Sequence, residues 1–138
     1  MAALSYALHV LTGRMDAAAG AILERDCQIT YASFLTLFAT DLLKNPTQRD
    51  LALWLGSSDA SLSRQLPQLA ADGWIEVRTT RGQGHRRQVV LTPVGKALVR
   101  RAAALLERRF AAVVRQAGVD VQTYSAHTTA ILNLLEKP

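Results

Sequence analysis

The stretch that decides the fold runs from Thr47 to Gly95 and reads TQRDLALWLGSSDASLSRQLPQLAADGWIEVRTTRGQGHRRQVVLTPVG. It opens with two short amphipathic segments at helical spacing, separated by Gly56. Two runs of strand-forming residues follow, joined by a glycine-rich basic segment, and then a new helical pattern begins. This order of elements predicts a winged helix-turn-helix.

The two helices carry local signals for where they begin and end. Thr47 is the predicted N-cap of the first helix, which continues to Leu55, and Gly56 ends it in a left-handed turn. Ser58 is the predicted N-cap of the second helix, Asp59 to Ala71. Leu62, Leu66 and Leu69 form its buried stripe, and we expect this helix to continue, kinked, through Pro67. The opposite face carries groups that reach phosphates and base edges, namely Ser61, Ser63, Arg64, Gln65 and Gln68. An ordinary helical hairpin with a solvated polar face is the alternative interpretation.

The predicted hairpin concentrates the positive charge of the chain. Its strands are residues 74–78 and 88–91, and the segment between them contains Arg81, Arg86 and Arg87. From Ile75 to Arg101 seven Lys or Arg residues stand against one acidic residue, whereas the whole 138-residue chain has a net charge of +5. A localised basic patch of this kind is typical of nucleic-acid binding.

With these elements the chain resembles the MarR family of bacterial winged-helix transcription regulators. The resemblance rests on TYASF at 30–34, TQRDLA at 47–52, GSSDASLSR at 56–64, Leu69, GWI at 73–75 and LTPVG at 91–95. It implies a homodimer on pseudo-palindromic double-stranded DNA. It also implies recognition-helix contacts at Ser58, Ser61, Ser63 and Arg64, and wing contacts between Arg81 and Arg87.

The wing departs from the family pattern. The family often has Asp-x-Arg there, and the corresponding positions hold Gln83 and His85; Arg86 supplies the arginine if the wing is offset by one residue. The complete predicted DNA-binding set is Thr47, Ser58, Ser61, Ser63, Arg64, Gln65, Gln68, Arg81, His85, Arg86 and Arg87.

The flanking segments predict dimerisation helices within one MarR-like domain, 1–138. About residues 30–92 form the winged helix-turn-helix, and about 1–28 and 93–138 the helical dimerisation region, so the fold class is mainly α with a small β-hairpin wing. We expect helices from about Leu4 to Glu24, from Pro93 to about Gln116, and from about Val121 to Glu136. The long helix is apolar on two faces, which a monomer of this size does not easily bury, so a homodimer is expected.

Catalytic and metal chemistry find little support in the sequence. His9, His85 and His127 lie far apart and show no metal-ligand spacing, and no nucleophile pairs with a base. We therefore expect a non-enzyme without cofactor or metal. The absence of a long apolar run or a signal-peptide pattern predicts a cytoplasmic protein with no membrane segment.

The sequence gives fewer indications of how the protein is regulated than of how it binds DNA. A family-like pocket for a small-molecule effector would be lined by Arg14, Cys27, Tyr31, Phe34 and Trp54. Packing in the aromatic core is an equally good explanation of Tyr31, Phe34 and Trp54. Cys27, just before the second helix, also suggests a thiol-based redox-sensing repressor, but Asp26 offsets the charge of Arg25 and a buried, inert cysteine is favoured. The expected function is a dimeric DNA-binding repressor released by a small ligand, and a winged-helix protein-interaction module is a further alternative.

Overall fold

A computed structural model describes residues 3–79 and 86–135 and shows a mainly helical chain with one antiparallel hairpin. It divides into two compact units, Met1–Ala103 and Ala104–Pro138. Its elements in order are α1 (Leu4–Cys27), α2 (Tyr31–Leu43), α3 (Gln48–Leu55), α4 (Asp59–Ala71), β1 (Ile75–Thr79), β2 (Arg87–Leu91), α5 (Pro93–Gln116) and α6 (Val121–Leu135). The prediction of a winged helix-turn-helix with added helices is confirmed.

The first helix is longer than predicted. α1 continues through Cys27 instead of ending near Glu24, so Cys27 lies in its last turn and not in the segment before α2. Arg25 and Asp26 lie in this last turn and pair with each other at 3.0 Å on the helix surface. Gln28 ends α1 in a left-handed conformation, with φ of 59°.

The core of the first unit forms around α2. This helix packs against α1, α3 and β2, while α4 packs against α3 and β1. Leucines supply most of the fully buried volume, among them Leu23, Leu37, Leu51, Leu62 and Leu69. The predicted stripe of α4 is therefore buried as expected, because residues three and four positions apart share one face of a helix.

The hairpin pairs Ile75 with Leu91 and Thr79 with Arg87. Both strands begin one residue away from the predicted positions. Trp74 lies outside β1 because its N–H donates to the Leu69 carbonyl and closes the end of α4. The N–H of Val89 donates to the Pro46 carbonyl at 2.8 Å, which attaches β2 to the segment that leads into α3.

The junction from β2 to α5 follows the predicted design, with Pro93 first in α5. The Thr92 hydroxyl donates to the Gly73 carbonyl at 2.6 Å and accepts from the N–H of Gly95 at 3.0 Å. One side chain therefore caps α5 and fixes it to the turn that precedes β1.

The second unit contains the end of α5 and the whole of α6. Phe110 and Tyr124 bring their rings to a centroid distance of 6.5 Å, and Asp120 caps α6 by accepting from the N–H of Thr123 at 2.8 Å. No described residue of α6 is buried. Its apolar side chains are more than half exposed at Ile131, Leu132, Leu134 and Leu135. Glu136, the predicted last residue of the helix, lies outside the described residues.

Within the described ranges, no helix has both the length and the apolar character needed to cross a membrane.

Candidate nucleic-acid interface

The outward face of α4 presents polar side chains to solvent. Ser58 caps the helix by accepting from the N–H of Ser61 at 3.1 Å, and Ser61, Arg64 and Gln68 are all exposed. Their spacing of three and four residues places them on one face, opposite the buried leucines. The α4 residues that the sequence assigned to DNA therefore include three that share an open helical face.

Two of the predicted contact residues instead bond to neighbouring helices. The Gln65 side-chain oxygen accepts from the Thr36 hydroxyl at 2.8 Å, which attaches it to α2. The Ser63 hydroxyl accepts from the Gln48 amide at 2.8 Å, which joins α4 to the first residue of α3. At 100° per residue, five polar positions cannot all share one narrow face, so Ser63 and Gln65 lie at its two edges.

Pro67 lies inside α4 and does not end it, which agrees with the prediction from the sequence. The helix runs unbroken from Asp59 to Ala71, although proline has no N–H to donate to the Ser63 carbonyl. An interior proline costs about 3 kcal/mol. Burial of Leu62, Leu66 and Leu69 offsets this cost, because each fully buried leucine contributes about 1.5–3 kcal/mol.

The base of the wing adds positive charge beside the start of α3. Arg86 and Arg87 are exposed, whereas Arg81 and His85 lie outside the described residues. An open hollow of about 540 Å³ is lined by Thr47, Gln48, Arg49, Asp50, Leu53, Asp59, Arg86 and Arg87. The structure thus brings three predicted contact residues, Thr47, Arg86 and Arg87, into one surface region.

Gln48 and Arg49 belong to the same region but were not among the sequence-based candidates. Both stand in the first turn of α3, before the buried Leu51. Their position in the sequence could have identified them. Polar residues directly after an N-cap are exposed at the start of a helix, and they lie close to any ligand that approaches this end.

Asp50 takes part in the N-terminal cap of α3, and this lowers the pKa of its carboxyl group. The Thr47 hydroxyl accepts from the N–H of Asp50, while the Asp50 carboxylate accepts from the N–H of Thr47, both at 3.1 Å. Hydrogen bonds from Thr47 are the main cause of a lowered Asp50 pKa, with a smaller effect of Arg86 and Arg49. Asp50 therefore stays ionised and reciprocally capped, which fixes the start of α3 beside the wing.

The residues predicted to line an effector pocket differ in their burial and in their contacts. Tyr31 stacks on the buried Phe34 at 6.3 Å between ring centroids, and burial, followed by the nearby Asp16 carboxylate, raises the pKa of Tyr31. Cys27 is buried and Arg14 is exposed.

Trp54 does not join that cluster. It is 52% exposed and lines a shallow hollow of about 400 Å³ together with Leu43, Pro46, Asp50 and Leu53. None of the other four predicted pocket residues lines this hollow. In the part of the chain that the structure describes, no three His, Cys, Asp or Glu side chains converge as metal ligands.

No family model matches the chain, and no curated protein matches it. Solved structures do. A crystal structure of a MarR mutant from E. coli aligns with a TM-score of 0.82 and 19% identity, covering 98% of both chains. MepR, a transcription regulator of the Staphylococcus aureus multidrug efflux pump MepA, aligns with a TM-score of 0.71 and 21% identity, covering 97% of both.

A third structure holds a MarR mutant from E. coli in complex with operator DNA. It aligns with a TM-score of 0.77 and 20% identity, covering 96% of this chain and 93% of the other. These likenesses extend over nearly the whole chain and establish its fold as that of the MarR structures, as the sequence resemblance implied.

Proposed function

We propose that this protein is a MarR-type transcription regulator that binds a pseudo-palindromic DNA operator as a homodimer and represses until a small ligand releases it. The observation that carries the proposal is the outward face of α4, where Ser61, Arg64 and Gln68 are exposed. Two further exposed arginines, Arg86 and Arg87, share a hollow with Asp59, the first residue of α4. The structural neighbours that are transcription regulators, one of them in complex with operator DNA, support the proposal.

On DNA, α4 enters the major groove and the arginines flank it. Arg64 has the planar guanidinium that pairs bidentately with guanine, and Ser61 supplies a hydroxyl for a neighbouring base edge. The Gln68 Nε2 donates to the Asp72 carboxylate at 3.0 Å, so its amide oxygen is the group that it offers to a base. Arg86 and Arg87 neutralise phosphates, which adds affinity without reading sequence. The charged and polar character of the α4 face favours DNA over an apolar protein partner. A protein-interaction module is thus the weaker alternative.

Support for the homodimer comes from apolar surface that each unit leaves exposed by itself. The first turns of α1 expose Leu4, Tyr6, Leu8 and Leu11, and α6 exposes four further apolar residues. Large exposed apolar surface marks an interaction site. A second copy of the chain is the partner proposed for this surface, since a dimer also supplies two α4 helices for two half-sites.

Release by a ligand is favoured over release by a thiol. Cys27 is 6% exposed, and the neighbouring cation Arg25 already pairs with Asp26. A redox-sensing cysteine needs access and a stabilised thiolate. Both requirements are poorly met at Cys27, so the redox-sensing alternative is the less supported one.

Two arginine variants test the proposal on DNA from the region upstream of the protein's own gene. Arg87→Ala should weaken binding to specific and random DNA alike and lower the log–log salt slope by about 0.9 for each phosphate that is no longer neutralised. Arg64→Ala should instead reduce the discrimination between operator and random DNA by roughly 1–3 kcal/mol. Loss of affinity with unchanged specificity in both variants contradicts the assignment of α4 as the reading helix.

A further inference from the structure

One hydrogen bond links the start of α3 to the edge of the proposed DNA-reading face. The Gln48 Nε2 donates to the Ser63 Oγ at 2.8 Å and lies 3.5 Å from the carbonyl oxygen of Asp59. A backbone carbonyl only accepts hydrogen bonds, so the amide nitrogen of Gln48, and not its oxygen, belongs on this side. The Ser63 hydroxyl is therefore the acceptor in its bond with Gln48.

The direction of this bond determines what Ser63 can offer to a partner. A hydroxyl has one proton to donate and two lone pairs that accept. Ser63 is exposed, and its proton has no acceptor among the residues that the structure describes. A hydroxyl that already accepts a hydrogen bond is also polarised and becomes a better donor.

The surroundings indicate the kind of acceptor that would meet this proton. Gln48 lines the same hollow as Arg49, Arg86 and Arg87, whose guanidinium groups attract phosphate and outnumber the two carboxylates of the hollow, Asp50 and Asp59. In a helix-turn-helix the first helix crosses the DNA backbone while the second enters the groove. The edge of α4 that faces the start of α3 is thus the edge nearest a DNA strand.

We propose that Gln48 is a positioning residue that holds the Ser63 hydroxyl so that it donates to a phosphate oxygen of the bound DNA. The inference rests on the proposed function, because it names a new residue of the same site. Gln48 acts through Ser63 and does not itself touch the DNA.

A contribution to the stability of the folded state does not explain why residue 48 carries an amide. The Gln48 Oε1 is buried and has no hydrogen-bond partner within the described residues, which is unfavourable for the folded state. Methionine has a similar length and no buried polar atom. Gln48→Met should therefore fold with the stability of the wild type or higher, while it loses the constraint on Ser63.

A double-mutant cycle tests the inference. Gln48→Met, Ser63→Ala and the double variant are titrated with operator and random DNA, and their unfolding is measured in urea. Each single variant should lose about threefold to tenfold in affinity for both DNAs, the size expected for one hydrogen bond. The double variant should lose no more than Ser63→Ala alone, because Gln48 acts through Ser63. The salt slope should stay unchanged, since no cation is removed.

Gln48→Glu gives a sharper version of the same test. A carboxylate cannot donate, so the Ser63 hydroxyl must donate to Glu and its proton is no longer available to a phosphate. This variant should lose more affinity than Gln48→Met. In the Ser63→Ala background only the repulsion between the new charge and DNA should remain, and that part should shrink as salt rises.

The inference is overturned by wild-type affinity in Gln48→Met, by losses that simply add in the double variant, or by a fall in affinity that parallels a fall in stability. A loss confined to the operator also overturns it, because Ser63 then reads a base and not a phosphate. Failure of the wild type to bind either DNA contradicts the proposed function instead, so the two failures are distinguishable.

Discussion

Gly95→Ala should destabilise the protein, because α5 approaches the turn before β1 too closely for a side chain. Gly95 is buried, and a Cβ at this position would overlap the carbonyl oxygen of Trp74 and lie 3.0 Å from its carbonyl carbon. The neighbour is backbone and cannot rotate away. It is also held, since the Trp74 carbonyl accepts from the N–H of Thr92 at 3.1 Å and the Gly73 carbonyl accepts from the Thr92 hydroxyl.

The expected loss of stability in Gly95→Ala follows from these contacts. Overpacking costs about 1–3 kcal/mol, and weakening the two bonds of Thr92 adds about 1 kcal/mol. The better helix propensity of alanine returns about 0.5–1 kcal/mol. The net loss is about 1–3.5 kcal/mol, which lowers Tm by roughly 3–12 °C in a chain of 138 residues.

Thermal unfolding of wild type, Gly95→Ala and Gly20→Ala measures this effect with a matched control. Gly20 also lies inside a helix, but a Cβ there would meet the Tyr31 Cβ at an ordinary 3.8 Å. Gly20→Ala should therefore be stabilised by about 0.5–1 kcal/mol. A Gly95→Ala protein as stable as wild type would refute the claim that this helix–strand junction is a rigid close contact.

Three further predictions concern redox response, pH and assembly. Cys27→Ser should leave DNA affinity and ligand-driven release nearly unchanged, because the thiol is buried; thiol-reversible loss of wild-type binding in peroxide, absent from the variant, would make the protein a redox sensor. Hydrogen bonds lower the Asp50 pKa below 3.8 in the folded state, so its contribution to stability is complete well above 3.8 and is lost as pH falls through the folded value. Urea unfolding of wild type and Asp50→Ala should therefore differ at about pH 7 and converge near about pH 2, and a constant difference would exclude this linkage. Sedimentation should give about twice the 15.0 kDa chain mass. Leu105→Asp should give a monomer, because it places a charge on an apolar face of α5, the helix whose two apolar faces predict the homodimer, and an unchanged dimer would mean that this face is not part of the interface.

The sequence predicts best what depends on neighbouring residues. The caps at Thr47 and Ser58 and the left-handed turn at Gly56 are confirmed, as are the bounds of α4, because each depends on residues within one helical turn. The end of α1 was wrong by three residues: the helix was predicted to end near Glu24 and continues to Cys27, where Gln28 ends it in a left-handed conformation.

Bonds between distant residues escape such an analysis. Gln65 bonds to Thr36 across 29 positions, and Gln48 bonds to Ser63 across 15, so no local pattern reveals that both α4 side chains have protein partners. Trp54 is a different case: α3 is only two turns long, and its buried face is already occupied by Leu51 and Ala52. The tryptophan is consequently half exposed, and the hollow that it lines contains none of the other four residues predicted for the pocket.

Selection of binding sites from a pool of random DNA tests the central proposal most directly. A dimer that places one α4 helix in each of two successive major grooves should enrich a two-fold symmetric sequence whose half-site centres lie about 10 base pairs apart. Arg64→Ala should lose the preference at one symmetric pair of positions and keep the spacing. Recovery of no enriched sequence, or of a single site without symmetry, would contradict the proposal of a dimeric, sequence-reading regulator.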